Sequence, residues 1–305
     1  MSTAPLSETA LFDPTAPLTP SGNLRRRLLV SRAVQGVATL AALVAVAALA
    51  VVVYVVVSRG APALSLNFLI KDPPADGGTG GGIRSAIIGS ALIVGVATAI
   101  ATPLGVLAAI YLVELSRPRS LPARALRLAL DLMQSLPTVV VGLFVFGLIV
   151  KPEAAESGVA GSIALAIIAL PLIARSSQEV LLLIPSGLRD AAEALGVARW
   201  RTILTVVLPT ALGGIVTGTI IAVARAAGET APLLLVDSLF TSQTTFNIFG
   251  PMPNLPVSIF TAAESADPQA FTRAWGEALV LLGLVLVANV GARTLLARQR
   301  RRLAG

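Results

Sequence analysis

Six long apolar stretches separated by polar segments set the pattern of this chain. They run from Ala33 to Val57, Ala86 to Val113, Leu128 to Val150, Ala160 to about Leu183, Val207 to about Leu235, and Trp275 to Leu296. Each is long enough to cross ~30 Å of hydrocarbon at ~1.5 Å per helical residue. The pattern predicts an all-α membrane protein with six transmembrane helices. The second, fourth and fifth stretches overrun the minimum length and carry Pro103, Pro171 and Pro232, which predicts tilted or kinked helices. Small residues, among them Gly213, Gly214 and Gly218, favour close helix packing.

The segments between the stretches divide the chain further. Residues 1–32 read as a basic tail, and the first 24, rich in Pro, Ser and Thr, are expected to have no fold. Ala61-Pro62-Ala63 imitates a small-residue cleavage site. The apolar run before it is longer than the ~7 to 15 residues of a signal core and starts too far into the chain to be one. Residues 58–85 form a Gly-rich segment containing Gly77-Gly78-Thr79-Gly80-Gly81-Gly82, read as a flexible hinge. No Gly-Lys-Ser/Thr follows it, so it is not a phosphate-cradling nucleotide loop. Residues 86–296 form a core of five spans, with a loop at about 237–273, and 297–305 a basic tail.

Composition agrees with the hydropathy pattern: 55% of residues are hydrophobic, 13% are charged, and mean hydropathy is +0.85. A net charge of +7 raises the question of nucleic acid, but the arginines sit at the ends of the stretches and not in a patch interleaved with aromatics. With the amino terminus placed inside, 17 of the 23 Lys and Arg residues fall on the inner side. Both termini are therefore expected in the cytoplasm. The absence of Cys and His removes thiolate and imidazole nucleophiles, bases and metal ligands, so no catalytic or metal site is expected.

Between the fourth and fifth stretches lies a polar segment on the predicted cytoplasmic side. Pro185 closes the apolar run, and Ser186 can cap a short helix. On that helix Leu188, Ala191, Ala192 and Leu195 share one face, while Arg189, Asp190 and Glu193 lie elsewhere. Gly196 suits a left-handed stop. A basic segment, Arg199-Trp200-Arg201, follows before the chain returns to the bilayer at Leu208-Pro209.

Ionisable groups inside the apolar stretches are costly, about 2.5 to 3.5 kcal/mol each at a helix centre, and are usually kept for a function. Arg175 with Glu179, and Arg225 with Glu229, are spaced to share a helical face. The second pair reads either as a packing salt bridge or as cationic lining for an anion path, to which a planar guanidinium is suited. Snorkelling is the plainer reading of Arg175. Asp131 and Gln134, at the start of the third stretch, read as a capped helix end or as a gate.

Asp190-Ala191-Ala192, three residues, Gly196, nine residues, Val206, then Leu208-Pro209 resembles the EAA loop of ABC importer permeases, with Asp for Glu and Val for Ile. Further segments narrow the resemblance: Pro103 to Leu112, Ser135 to Leu143, Leu170 to Arg175, and above all Arg225-Ala226-Ala227-Gly228-Glu229-Thr230-Ala231-Pro232. Together they look like the PstA-type permeases of phosphate ABC transporters, over most of the chain from about Gly81.

That resemblance implies a type I importer permease fold in a bacterial or archaeal plasma membrane. It implies pairing with a second homologous permease, a dimer of ATPase subunits and a periplasmic phosphate-binding protein. It places Arg175, Arg225 and Glu229 on the substrate pathway, and Arg189, Asp190, Ala191, Ala192, Glu193, Leu195 and Gly196 at the ATPase coupling surface. ATP and magnesium would be bound by the partner ATPase subunits and no cofactor by this chain, which has no nucleotide motif. A permease for sulfate or molybdate, and an ion-coupled secondary carrier, are the alternative readings. The latter should show an internal repeat or acid clusters at membrane depth, and neither is present.

Overall fold

A computed structural model describes residues 22–73, 81–117, 119–238 and 243–303 of the chain. Residues 1–21 of the tail expected at 1–32, and residues 77–80 of the Gly-rich run, lie outside the described residues, whereas 22–32 are already helical. The chain divides into a first unit up to Val55 and a second from Val56 onward. Among the described residues every regular element is helical. The first unit is most of helix α1 (Gly22–Gly60), long and apolar enough to cross a membrane.

The second unit opens with a 3-10 turn at Ala61–Ala63 and the short α2 (Leu66–Ile70), whose first turn is capped by the Ser65 hydroxyl accepting from the Phe68 N–H. Helix α3 (Arg84–Ile110) runs straight into a π turn at Tyr111–Leu115. It packs lengthwise against α7 (Gly158–Leu182), with Ile93, Ala97 and Ala101 meeting Leu165, Ala169 and Ile173 in one cluster. The close approach depends on small side chains. A Cβ on Gly105 would lie 2.9 Å from Ile173 Cγ2.

The third apolar stretch is not one helix. Helix α4 (Leu121–Ser135) and α5 (Thr138–Val145) meet at a 102° bend. Leu136 is extended at φ −66° and ψ 133°, the conformation imposed on a residue before proline, and Pro137 offers no N–H to continue the helical ladder. Hydropathy is blind to this break because both sides of it are apolar. Helix α5 continues through a π turn at Phe146–Val150 into α6 (Lys151–Glu153).

After α7 come α8 (Ser186–Ala194), α9 (Arg199–Thr202), a π turn at Ile203–Val207 and α10 (Leu208–Ala226). The long helix of the fifth stretch therefore ends at Ala226, well short of Leu235. The chain turns at Ala227 and Gly228, and Pro232 lies beyond α10, where it precedes α11 (Leu233–Val236) and kinks nothing. The segment after α11 folds back over the start of α7, where the Gly158 and Val159 N–H groups donate to the carbonyls of Gly250 and Ile248. These bonds satisfy donors that a helix N-terminus leaves free.

The stretch read as a loop at 237–273 contains α12 (Leu255–Glu264), capped by Asn254 and buried along Leu255, Val257 and Ala262. Helix α13 (Pro268–Leu303) follows, so the expected tail at 297–305 is helical as far as Leu303. Among the described residues, five helices or continuous helical runs are long and apolar enough to cross a membrane, and six if the α4–α5 pair counts as one broken span.

Candidate functional site

At one end of the second unit, α8 stands clear of the spans. Its N-cap is Pro185, not Ser186, and no side chain caps it. The extended Pro185 already turns the chain, and Ser186 has become the first helical residue. The apolar face expected on α8 is divided: Ala192 is buried, whereas Leu188, Ala191 and Leu195 are exposed, Leu195 at 83%. Asp190 and Glu193 are exposed as well. Gly196 has φ +72° and ends the helix, with its N–H donating to the Glu193 carbonyl at 2.9 Å and that of Val197 to Ala192 at 3.1 Å. That is the left-handed stop read from the sequence. Beyond it Trp200 is exposed, with the Arg201 guanidinium 5.3 Å from its ring centre. The result is a mixed apolar and acidic surface held by a short, well-terminated helix.

Arg189 points the other way. Its Nη2 lies 2.6 Å from Glu114 Oε1, and its Nε donates to both carboxylate oxygens at 3.1 Å. The remaining donors reach the carbonyls of Ile184, at 2.8 Å, and Leu181, at 3.1 Å. One guanidinium thus ties α8 to the π turn that ends α3 and to the last turn of α7. Glu114 is only 3% exposed. Its hydrogen bond raises the already high pKa of Arg189, against a smaller effect of burial, so the cation is permanent. Sequence reasoning missed Glu114. The available signal was a lone acid closing the apolar run Leu112-Val113, but its partner lies 75 residues away.

The two Arg–Glu pairs expected at a spacing of four are not formed. Arg175 on α7 instead pairs with Asp131 on α4 and donates to Gln178 Oε1 at 3.2 Å, while Glu179 is exposed. Asp131 is therefore an ion-pair partner and not a helix cap. Arg225 and Glu229 are separated by the end of α10 at Ala226, which removes the helical geometry their spacing presumed. Arg225 is exposed and makes no ion pair among the described residues.

The depth of these arginines follows from helix register. A Cβ on Gly214 would meet Val180, and one on Gly218 would meet Ser176, each at 2.6 Å, so α10 runs antiparallel to α7 in a fixed register. Extending it seven residues puts Arg225 level with Ala169, midway along α7. Arg175 lies six residues, or about 9 Å, closer to the α8 end. On that side a cavity of about 450 Å³ opens between α7 and α10, lined by Ser176, Glu179, Thr210, Thr217 and Gly218 among others.

At the opposite end the polar groups belong to the returning loop. Asp72 binds Arg84, with Nη2 to Oδ2 at 2.6 Å, and accepts from the Thr244 hydroxyl. The Arg84 hydrogen bond holds the Asp72 carboxyl below its usual range, over a weaker opposing effect of burial. Asp237 is 1% exposed and accepts from the Met252 N–H at 2.8 Å, while its backbone carbonyl accepts from Asn254 Nδ2 at 3.1 Å. Burial pushes its carboxyl up to about 7, the Met252 N–H opposes this, and the nearby charge of Glu156 adds to it. Glu156 in turn accepts from the N–H and hydroxyl of Ser238.

Residues 101–303 match the family model described as the binding-protein-dependent transport system inner membrane component. Among curated proteins, the chain is 39% identical over 242 residues to the phosphate transport system permease protein PstA of Pasteurella multocida, covering 79% of this chain and 85% of that one. It is likewise 39% identical over 249 residues to PstA of Yersinia pestis, covering 82% and 84%. With PstA 1 of Mycobacterium tuberculosis it shares 37% identity over 227 residues, covering 73% of each. Among solved structures, a chain of the inward-facing MetNI methionine ABC transporter has the same fold, with a TM-score of 0.54 at 21% identity, covering 71% of this chain and 94% of that one.

Proposed function

The chain belongs to the inner membrane components of binding-protein-dependent transport systems and, among them, to the PstA permeases, and from this premise we propose that it lines the membrane path of an ATP-driven phosphate importer. It is a transport component and not an enzyme. The observation that carries the substrate reading is Arg225: a permanent cation, level with the middle of α7, exposed and without an anionic partner among the described residues. A charge at that depth is stable only against water, a partner subunit or a substrate. A tetrahedral oxyanion matches its forked donors.

Arg175, about 9 Å further along, offers a second cation already engaged by Asp131. Phosphate passing from Arg225 would compete with that carboxylate, which keeps Arg175 from becoming a trap. Glu229, half-buried just past α10, lowers the net positive charge of the same stretch.

The exposed set on and after α8, Asp190, Ala191, Glu193, Leu195 and Gly196, is the surface offered to an ATPase subunit, with Ala192 and Arg189 holding the helix from behind. ATP and magnesium are carried by the ATPase subunits. A loaded phosphate-binding protein docks at the opposite, periplasmic end, and a second homologous permease completes the path. The two states of the path, open to either side, are then selected by differential binding of these partners.

The test is uptake of labelled phosphate into proteoliposomes holding this chain with its partner permease and ATPase, with binding protein outside, ATP inside, and sulfate and molybdate as competitors. We expect ATP-dependent phosphate uptake that resists both competitors, and an Arg225→Ala complex that assembles normally but transports far less. Uptake of sulfate or molybdate would refute the substrate, and ATP-independent uptake would refute the transporter class. Equal losses of assembly and uptake in Arg225→Ala would make that arginine structural.

A further inference from the structure

Helix α3 is fastened at both ends to the elements that face the two sides of the membrane. At the α8 end, the buried Glu114 receives three contacts from the Arg189 guanidinium, which also holds the carbonyls of Leu181, in the last turn of α7, and of Ile184, just beyond it. At the other end three separate attachments join α3 to the returning loop. Arg84 donates to Asp72 and to Thr244 Oγ1, the latter at 3.2 Å. The Ser90 hydroxyl accepts from the Leu255 N–H at 2.8 Å. Gly89 lies so close to the loop that a Cβ there would be 1.8 Å from the Pro253 carbonyl oxygen. From Arg84 to the π turn that carries Glu114 runs the single helix α3 of 27 residues, about 40 Å long.

We propose that α3 is the rod that carries movement between α8 and the outer loop at 243–255, and that Glu114 is the positioning residue that engages it. This deepens, and rests on, the reading of α8 as the ATPase-coupling helix. The alternative mechanical route is the covalent one through α9 into α10. That route fails at its far end, because α10 ends at Ala226 without reaching the loop as a helix. Helix α3 has no covalent link to α8 shorter than the whole of α4 to α7. Its coupling to α8 must therefore pass through side chains, and Glu114 with Arg189 supplies it. A bidentate pair with one buried partner resists both sliding and rotation, which a single apolar contact would not.

Coupling free energies are reciprocal, so a rod that transmits ATPase closure outward must also transmit docking of the loaded binding protein inward. The measurement is ATP hydrolysis by the reconstituted complex, with and without loaded binding protein, alongside phosphate uptake. Glu114→Gln should leave basal hydrolysis in place, cut the stimulation by binding protein on the order of tenfold, and raise the ATP consumed per phosphate moved. Glu114→Asp, which keeps the charge, should restore part of the stimulation. Asp72→Asn, at the far end of the rod, should repeat the Glu114→Gln pattern, and because it lies well away from α8 it guards against a local folding defect.

A wild-type ratio of stimulated to basal hydrolysis in both variants would overturn the proposal. So would basal hydrolysis, stimulation and uptake all falling in step with the amount of assembled complex, since the pairs would then be structural staples. A wild-type complex with no ATP-dependent phosphate uptake would instead refute the transport reading itself, and the proposal with it.

Discussion

Asp237 carries a pH dependence that can be worked out from its surroundings. It is buried beneath the loop it organises, its carboxyl accepts from the Met252 N–H, and burial pushes its pKa up to about 7 from an ordinary value of 3.8. Folding therefore favours the protonated acid. The stability this contributes is complete below the ordinary carboxylate value and is lost as pH rises through about 7. Amide exchange at Met252 and Val159, corrected for its intrinsic pH dependence, should accelerate progressively from about pH 4 to about pH 7 and level off above that. Asp237→Asn should remove that step, and an identical step in the variant would show that another group titrates. At this same scale the sequence was only partly readable. The arginines in the spans announced themselves by their cost, but their partners did not. Arg175 finds Asp131, 44 residues away, and Arg189 finds Glu114, 75 away, whereas a spacing rule reports only what one helix can bring together.

Among the elements, α8 and its stop are the part that local chemistry specifies best. Gly196 sits at φ +72°, and a Cβ added there would meet nothing within 4 Å. Replacing it costs backbone strain of roughly 1–2 kcal/mol without any clash inside the chain. If α8 couples to the ATPase as proposed, Gly196→Leu should accordingly insert and assemble in normal amounts while uptake is lost. Normal uptake at normal expression would remove Gly196 from the coupling surface. The α4–α5 elbow marks the opposite case. The apolar run from Leu128 to Val150 shows no interruption in hydropathy, yet Pro137 and the extended Leu136 turn the chain by 102°. A proline reading alone could not have placed the break there, since Pro103 and Pro171 remain inside α3 and α7.

For the molecule as a whole, the direction of insertion decides which end meets the ATPase. The Lys and Arg distribution predicts α8 and both termini on the inner side. The chain lacks cysteine, so introduced cysteines report cleanly. A membrane-impermeant maleimide added to intact spheroplasts should label Ser265→Cys, in the turn between α12 and α13, and spare Ala198→Cys, just after α8. The reverse pattern would invert the topology and with it the roles given to the two ends.

What the sequence by itself determined is the set of properties that each residue contributes independently: an all-helical membrane chain, the approximate positions of its spans, and the left-handed stop at Gly196. These follow from transfer free energy and backbone sterics, which sum along the chain. The tertiary structure alone decided which charges neutralise one another, that Arg225 is left exposed level with the middle of α7, that Arg189 turns away from the surface its neighbours form, and that α3 is gripped at both ends. Those outcomes depend on helix register and on contacts between residues as far apart as Asp72 and Thr244. Such pairings are set by the packing of whole helices against one another, which no local window of the chain contains.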